Sequence, residues 1–81
     1  MFKVKVAAWG HDAPKIRPET LEAVSPEDLK ELVSDWLTRH CLGASNWSNP
    51  VVLKDNKVYG YMSYNQRIWD KDIWNANARE L

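Results

Sequence analysis

The sequence predicts an α+β domain, a small antiparallel sheet in the order β-(β)-α-β-β-β with one amphipathic helix packed on one face and a short C-terminal helical tail. Three observations predict it. Residues 2–9 alternate apolar and polar; Ser25-Pro26 opens a stretch whose apolar residues recur at helical spacing; and residues 51–70 hold two turn signals between runs of β-formers. With 81 residues, 44% apolar and 27% charged, the chain has room for one core and is read as a single domain, 1–81.

The first strand puts Phe2, Val4, Val6 and Ala8 on one face and Lys3, Lys5, Ala7 and Trp9 on the other. Gly10 ends it, and His11-Asp12-Ala13-Pro14 supplies turn formers. Residues 16–24 fit either an edge strand, with Thr20, Leu21 and Val24 as its best residues, or a single helical turn opened by Pro18. The strand is preferred.

The helix is expected over about 26–42. Ser25 is its N-cap, Pro26 takes the first helical position, and Asp28 completes a Ser-x-x-Asp capping box. Leu29, Leu32, Val33, Trp36, Leu37 and His40 form the core-facing stripe, with Lys30, Glu31, Ser34, Asp35 and Thr38 opposite. Val24 and Leu29 are spaced for a hydrophobic staple, and Gly43 is the candidate for the left-handed C-terminal residue. With Leu32 in that stripe, Leu32→Ala is expected to unfold much of the population at physiological temperature.

After a loop over 44–50, a three-stranded meander occupies about 51–70, turning at Asp55-Asn56 and again at Asn65-Gln66. If both turns have two residues, Leu53 pairs with Val58, Tyr64 with Arg67 and Met62 with Trp69. That register sends Val51, Leu53, Val58, Met62 and Trp69 toward the helix and Lys54, Lys57, Tyr59, Tyr61 and Ile68 to the other face. The tail, 71–81, starts with capping residues Asp70 or Asp72 and carries Ile73, Trp74, Ala78 and Leu81; Asn75 and Asn77 weaken it as a helix, so it is expected to order against a partner.

Eleven Lys plus Arg balance eleven Asp plus Glu, which removes any general electrostatic pull toward nucleic acid or an anionic membrane. Cys41 is the sole cysteine, so neither an internal disulfide nor a zinc site of several thiolates is expected. No apolar run approaches the roughly 18 residues of a membrane span, and the first residues do not resemble a signal peptide. A cytoplasmic location follows as the expectation. His11-Asp12 has the makings of a base and its orienter, but both residues favour turns and no nucleophile stands with them. His40 and Cys41 are helical neighbours pointing about 100° apart, unsuited to sharing a metal. No catalytic residue, metal or cofactor is expected, and Asn46-Trp47-Ser48 is read as a chance glycosylation sequon.

Five Trp exceed what so small a core readily holds. Trp36 and Trp69 are assigned to it; Trp9, Trp47 and Trp74 are left for either partner contact or packing at the rim. Tyr59, Tyr61 and Lys57 are either ordinary residues of a solvated face or part of a contact surface. The leading expectation is a non-enzymatic protein-binding module using Tyr59, Tyr61, Trp47 and Trp74, with Lys57 and Arg67 beside them, since aromatic residues dominate binding hot spots. The alternative is single-stranded nucleic-acid binding, with bases stacked on Tyr59 and Tyr61 and phosphates followed by Lys54, Lys57 and Arg67. Self-association through residues 2–9 or the tail remains open.

The segment Glu22-Ala23-Val24-Ser25-Pro26-Glu27-Asp28-Leu29 and the meander Val58-Tyr59-Gly60-Tyr61-Met62-Ser63-Tyr64-Asn65-Gln66-Arg67-Ile68-Trp69-Asp70 together resemble in build small phage and prophage α+β proteins, some of them anti-CRISPR inhibitors. The resemblance covers about 50 residues and carries over no functional residue. It implies an inhibitor that occupies a surface of a larger host protein or ribonucleoprotein complex, where nucleic acid enters or subunits must move. The balanced charge departs from inhibitors that imitate nucleic acid, so the implied mode is blocking by shape.

Overall fold

The computed structural model describes residues 1–8, 16–72 and 75–81. The strand end at Trp9, the His11-Asp12 turn, and Ile73 and Trp74 of the tail lie outside the described residues. Five strands form one antiparallel sheet: β1 (Phe2–Val6), β2 (Glu19–Ala23), β3 (Val51–Lys54), β4 (Lys57–Met62) and β5 (Ile68–Trp69), in the spatial order β2-β1-β3-β4-β5. The helix α1 (Pro26–Arg39) connects β2 to β3 and packs on β1 and β2. The α+β build is as the sequence predicts. Residues 19–23 take the preferred strand conformation, which makes β2 the sheet's edge and moves β1 to its interior.

Alternation builds β1. Phe2, Val4 and Val6 are buried, while Lys3 is half-buried and Lys5 exposed. Across the sheet they meet Ala23, the half-buried Leu21, Val52, Met62 and Ile68, and α1 closes this layer with Leu29, Val33, Trp36 and Leu37. Gly60 lies opposite Val52, where a Cβ would sit 2.5 Å from the Trp69 carbonyl oxygen, 2.8 Å from Ile68 Cγ2 and 2.9 Å from Leu81 Cδ1. Only glycine fits there.

The start of α1 is the predicted one: Ser25 is extended, Pro26 begins the helix, and the Asp28 N–H donates to Ser25 Oγ at 3.2 Å. Its end is not. The helix stops at Arg39 because Cys41, rather than Gly43, adopts the left-handed conformation, with φ 55°. The Leu42 N–H then donates to the Leu37 carbonyl at 3.0 Å and the Cys41 N–H to Thr38 at 3.2 Å, a Schellman closure in which both Leu37 and Leu42 are buried. Gly43 is extended at φ −111° and leads into a 3₁₀ turn at Ala44–Asn46. Two further expectations fail by geometry. Leu32 is 38% exposed at the flank of the stripe, and Val24 is 78% exposed, so it staples nothing.

The meander's first turn is as predicted, with Asp55 at φ 51° and Asn56 at φ 68°, the left-handed pair of a tight hairpin. Leu53 pairs with Val58. Beyond that pair the predicted faces are wrong in two ways. Tyr59 is an extra residue in a β-bulge, since Val52 pairs with Gly60, and this reverses the side-chain alternation along β4. The second turn is longer than two residues: the Ser63 N–H donates to the Arg67 carbonyl at 2.8 Å, Gln66 sits at φ 63°, and Met62 pairs with Ile68. Val52, Met62 and Ile68 therefore point into the core. Val51, Leu53, Val58 and Trp69 point away from it.

The described part of the tail is not helical. Residues 75–78 form turns, and Glu80 bridges to Trp69, so the chain returns along β5 as a loop closed by Asp70 N–H to Arg79 C=O (2.9 Å) and Arg79 N–H to Asp70 Oδ1 (2.7 Å). Asn75 and Asn77 favour this outcome. The Asn77 N–H donates to Asn75 Oδ1 at 2.9 Å, a side-chain-closed turn that competes with helix.

Candidate partner-binding face

Because α1 lies on one side of the sheet, the outward residues of β1, β3, β4 and β5 share the other. Register places them in two rows: Glu22, Lys3, Leu53 and Val58 in one, and Val51, Tyr61 and Trp69 in the second. Val58 is 64% exposed and Val51 is exposed; Leu53, Tyr61 and Trp69 are half-buried by their neighbours. The result is an apolar and aromatic stripe across three strands, bordered on β1 by Lys3, which pairs with Glu22 at 3.5 Å, and by the exposed Lys5.

The two aromatic residues in the stripe differ in how they are held. Trp69 Nε1 donates to Ser63 Oγ at 3.1 Å, and that hydroxyl is itself buried between Asn65 Oδ1 and the Arg67 carbonyl. The indole is thus fixed before any contact is made. The Tyr61 hydroxyl makes no hydrogen bond among the described residues. It is free to accept or donate one.

The residues singled out from sequence separate. Tyr61 is on this face. Tyr59 is not: the bulge turns it toward the core, where its ring meets Phe2 edge-on with centroids 5.0 Å apart. Trp47 is a correction of a different kind, since it is 6% exposed and its Nε1 donates to the Met62 carbonyl at 2.9 Å. It packs the rim of the core. Lys57 is exposed and stands across the first hairpin from Lys54, whose ammonium lies 5.5 Å from the Phe2 ring centroid. Arg67 is exposed in the second turn, with Glu80 4.0 Å away. Trp74 lies outside the described residues. Tyr59 and Tyr61 therefore do not form one stacking platform.

Sequence reading missed Leu53, Val51, Val58 and Trp69. Three consecutive apolar residues at 51–53 leave the inward face undecided, and the bulge that settles it carries no sequence mark except the unusual Gly60 inside a strand.

Elsewhere, a groove of about 290 Å³ separates the end of α1 from the second turn, walled by Thr38, Cys41, Tyr64 and Gln66, with the Tyr64 hydroxyl donating to the Leu42 carbonyl at 3.2 Å. Its thiol is exposed. The neighbouring His40 packs edge-on against Trp36, and its Nε2 is buried with no hydrogen-bond partner, so that nitrogen is not hydrogen-bonded to the thiol. Among the described residues no three His, Cys, Asp or Glu side chains are grouped to hold a metal ion, and no helix is long and apolar enough to cross a membrane. Among the described residues, Asp55 is the group whose titration is clearly moved. A hydrogen bond from the Met1 ammonium, 2.9 Å away, and that group's charge hold its carboxyl below the ordinary value.

No family model, curated protein or solved structure matches this chain.

Proposed function

We infer that the chain is a non-enzymatic protein-binding module whose contact surface is the sheet face opposite α1, centred on Tyr61 and Trp69 with Leu53, Val51 and Val58 around them. The observation that carries this reading is the outward stripe itself. A sheet with a solvated face ordinarily alternates apolar inside with polar outside, and here the outer positions of β3, β4 and β5 are apolar or aromatic. Large rings held in place lose little freedom on binding, and Trp and Tyr are the commonest anchors of interfaces. Lys3 and Lys5 form a polar rim on one side, the anatomy expected of a binding patch.

In this reading the protein acts in the cytoplasm on a larger protein or ribonucleoprotein complex, and the resemblance of its sequence in build to small phage inhibitors suggests blocking by shape of a bacterial defence assembly. The partner's identity is the experimental question. A tagged pull-down from bacterial lysate, with and without nuclease, followed by mass spectrometry, is run for the wild type and for Tyr61→Ala combined with Val58→Asp. The expected result is a stoichiometric protein that survives nuclease and is lost with the double variant while its circular dichroism is unchanged. Retention by the folded variant would reject this face. Loss with nuclease alone would assign the binding to nucleic acid.

A further inference from the structure

We propose that β2 is the self-association edge of this protein: two copies pair antiparallel along Glu19–Ala23 about a two-fold axis at Leu21, continuing the sheet from one copy into the other. The two ends of the sheet are treated differently by the chain. The outer side of β5 is covered by the chain's own last residues, through the Trp69 to Glu80 bridge and the Leu81 N–H to Ile68 carbonyl bond of 2.8 Å. The outer side of β2 has no strand beside it among the described residues, and no described residue supplies ladder partners to the backbone groups facing that way.

The edge is complementary to itself in one register. Centred on Leu21, Glu19 lies opposite the partner's Ala23, Thr20 opposite the partner's Glu22, and Leu21 opposite its own copy. No like charges meet. Centring on Glu22 would set that carboxylate against itself, and centring on Thr20 would pair only residues 19–21 of each copy and leave Glu22 and Ala23 beyond the partner's strand. Both acidic residues of the edge already have cations within their own copy: Glu19 has Arg39 at 3.7 Å and Glu22 has Lys3 at 3.5 Å. The edge thus approaches its copy without an uncompensated row of negative charge.

The flank of this edge is apolar. The Arg39 to Glu19 ion pair brings one side of α1 over β2, and Leu32, two helical turns before Arg39, is on that side with 38% of its surface exposed. Val24, the most exposed large apolar residue described, follows β2 directly and in the same register falls opposite the partner's Pro18. Pairing at β2 therefore covers the two apolar side chains that the single copy leaves uncovered on this side, and the occupant that fits is a second copy of the chain. The stripe around Tyr61 is on a different surface and stays free.

The test is sedimentation equilibrium of a Cys41→Ser protein, which removes disulfide artefacts, from low micromolar to millimolar concentration. The expected mass rises from 9.4 kDa toward twice that value. Val24→Lys with Leu32→Lys is expected to weaken association at least tenfold with the helix and sheet content intact. Leu21→Cys in the same background is expected to form a disulfide-linked dimer under mild oxidation, and Lys57→Cys is not. A single-copy mass at every concentration overturns the proposal, as does a dimer indifferent to Val24→Lys and Leu32→Lys or a failure of Leu21→Cys to cross-link. Tyr61→Ala is expected to associate like wild type, so failure here and failure of the binding face are read separately.

Discussion

Replacing Trp47 by Phe, and separately by Ala, divides the two things this side chain does for the fold. Its ring is 6% exposed, and its Nε1–H reaches the Met62 carbonyl at the end of β4, tying the segment before β3 to the far part of the sheet. Phe keeps most of the packing and removes the donor, leaving a buried carbonyl short of a partner at a cost of about 1–3 kcal/mol. Ala removes the ring as well, and emptying an aromatic site costs about 3–5 kcal/mol. A domain of 81 residues has in total about 4–12 kcal/mol at the usual 0.05–0.15 kcal/mol per residue. Trp47→Ala therefore consumes a large part of the stability, and Trp47→Phe a measurable fraction. The assay is urea unfolding followed by far-ultraviolet circular dichroism, because the remaining Trp residues complicate fluorescence. Expected are reduced midpoints at constant slope, with Ala below Phe below wild type. A loss under about 1 kcal/mol for Trp47→Ala would refute the reasoning, since no buried indole is removed so cheaply. It would return Trp47 to the partner-contact role that the sequence left open.

Leu29 is fully buried and Leu32 is 38% exposed, so Leu29→Ala is expected to cost about 2–5 kcal/mol and Leu32→Ala less than about 1.5 kcal/mol, measured by thermal unfolding. Equal losses would place Leu32 back in the core stripe. Cys41→Gly relieves a left-handed non-glycine residue at φ 55° and is expected to stabilise by about 1 kcal/mol, which for a domain of this size raises Tm by about 4–8 °C. No rise would mean that the backbone there is not left-handed. Asp55 has a folded pKa lowered by the Met1 ammonium, so its contribution is present above the unfolded carboxylate value and is lost as pH falls through the folded one. The Tm difference between wild type and Asp55→Asn is therefore expected to shift against the wild type as pH drops from neutral to below the carboxylate range; a constant difference refutes the pairing.

How much of this was legible differs from element to element. The start of α1 was, because Ser25, Pro26 and Asp28 act within one helical turn, and the observed cap is the predicted one. The end was misread: the helix stops at Arg39, about three residues before the expected 42, and the left-handed residue is Cys41 rather than Gly43. A Gly at 43 is a strong local signal, but burial of Leu42 against Leu37 draws the chain out of the helix earlier and requires Cys41 to take the strained conformation. The first hairpin was legible for the same reason as the cap: Asp55-Asn56 determines its own turn.

The candidate face was only partly legible. Tyr61 was placed outward, while Leu53, Val58 and Trp69 were placed inward and Tyr59 outward, and a single bulged residue accounts for much of that exchange. Strand alternation propagates, so one extra residue in β4 exchanges the faces of everything on one side of it, and a second turn longer by one residue acts on β5 in the same way.

By itself, then, the sequence determined what is decided over a few neighbouring residues: the strand at 2–6, the helix start, the tight turn and the choice of α+β. Tertiary structure decided what depends on residues far apart in the chain. Which of Val51, Val52 and Leu53 faces the helix was settled by pairing with β1 and β4; the burial of Trp47 by a carbonyl fifteen residues away; and the turn-rich tail by its bridge back to β5. The physical reason is one of range. Propensity, capping and turn chemistry act locally, whereas burial of apolar surface is non-directional and is allotted only once the whole chain has closed on itself.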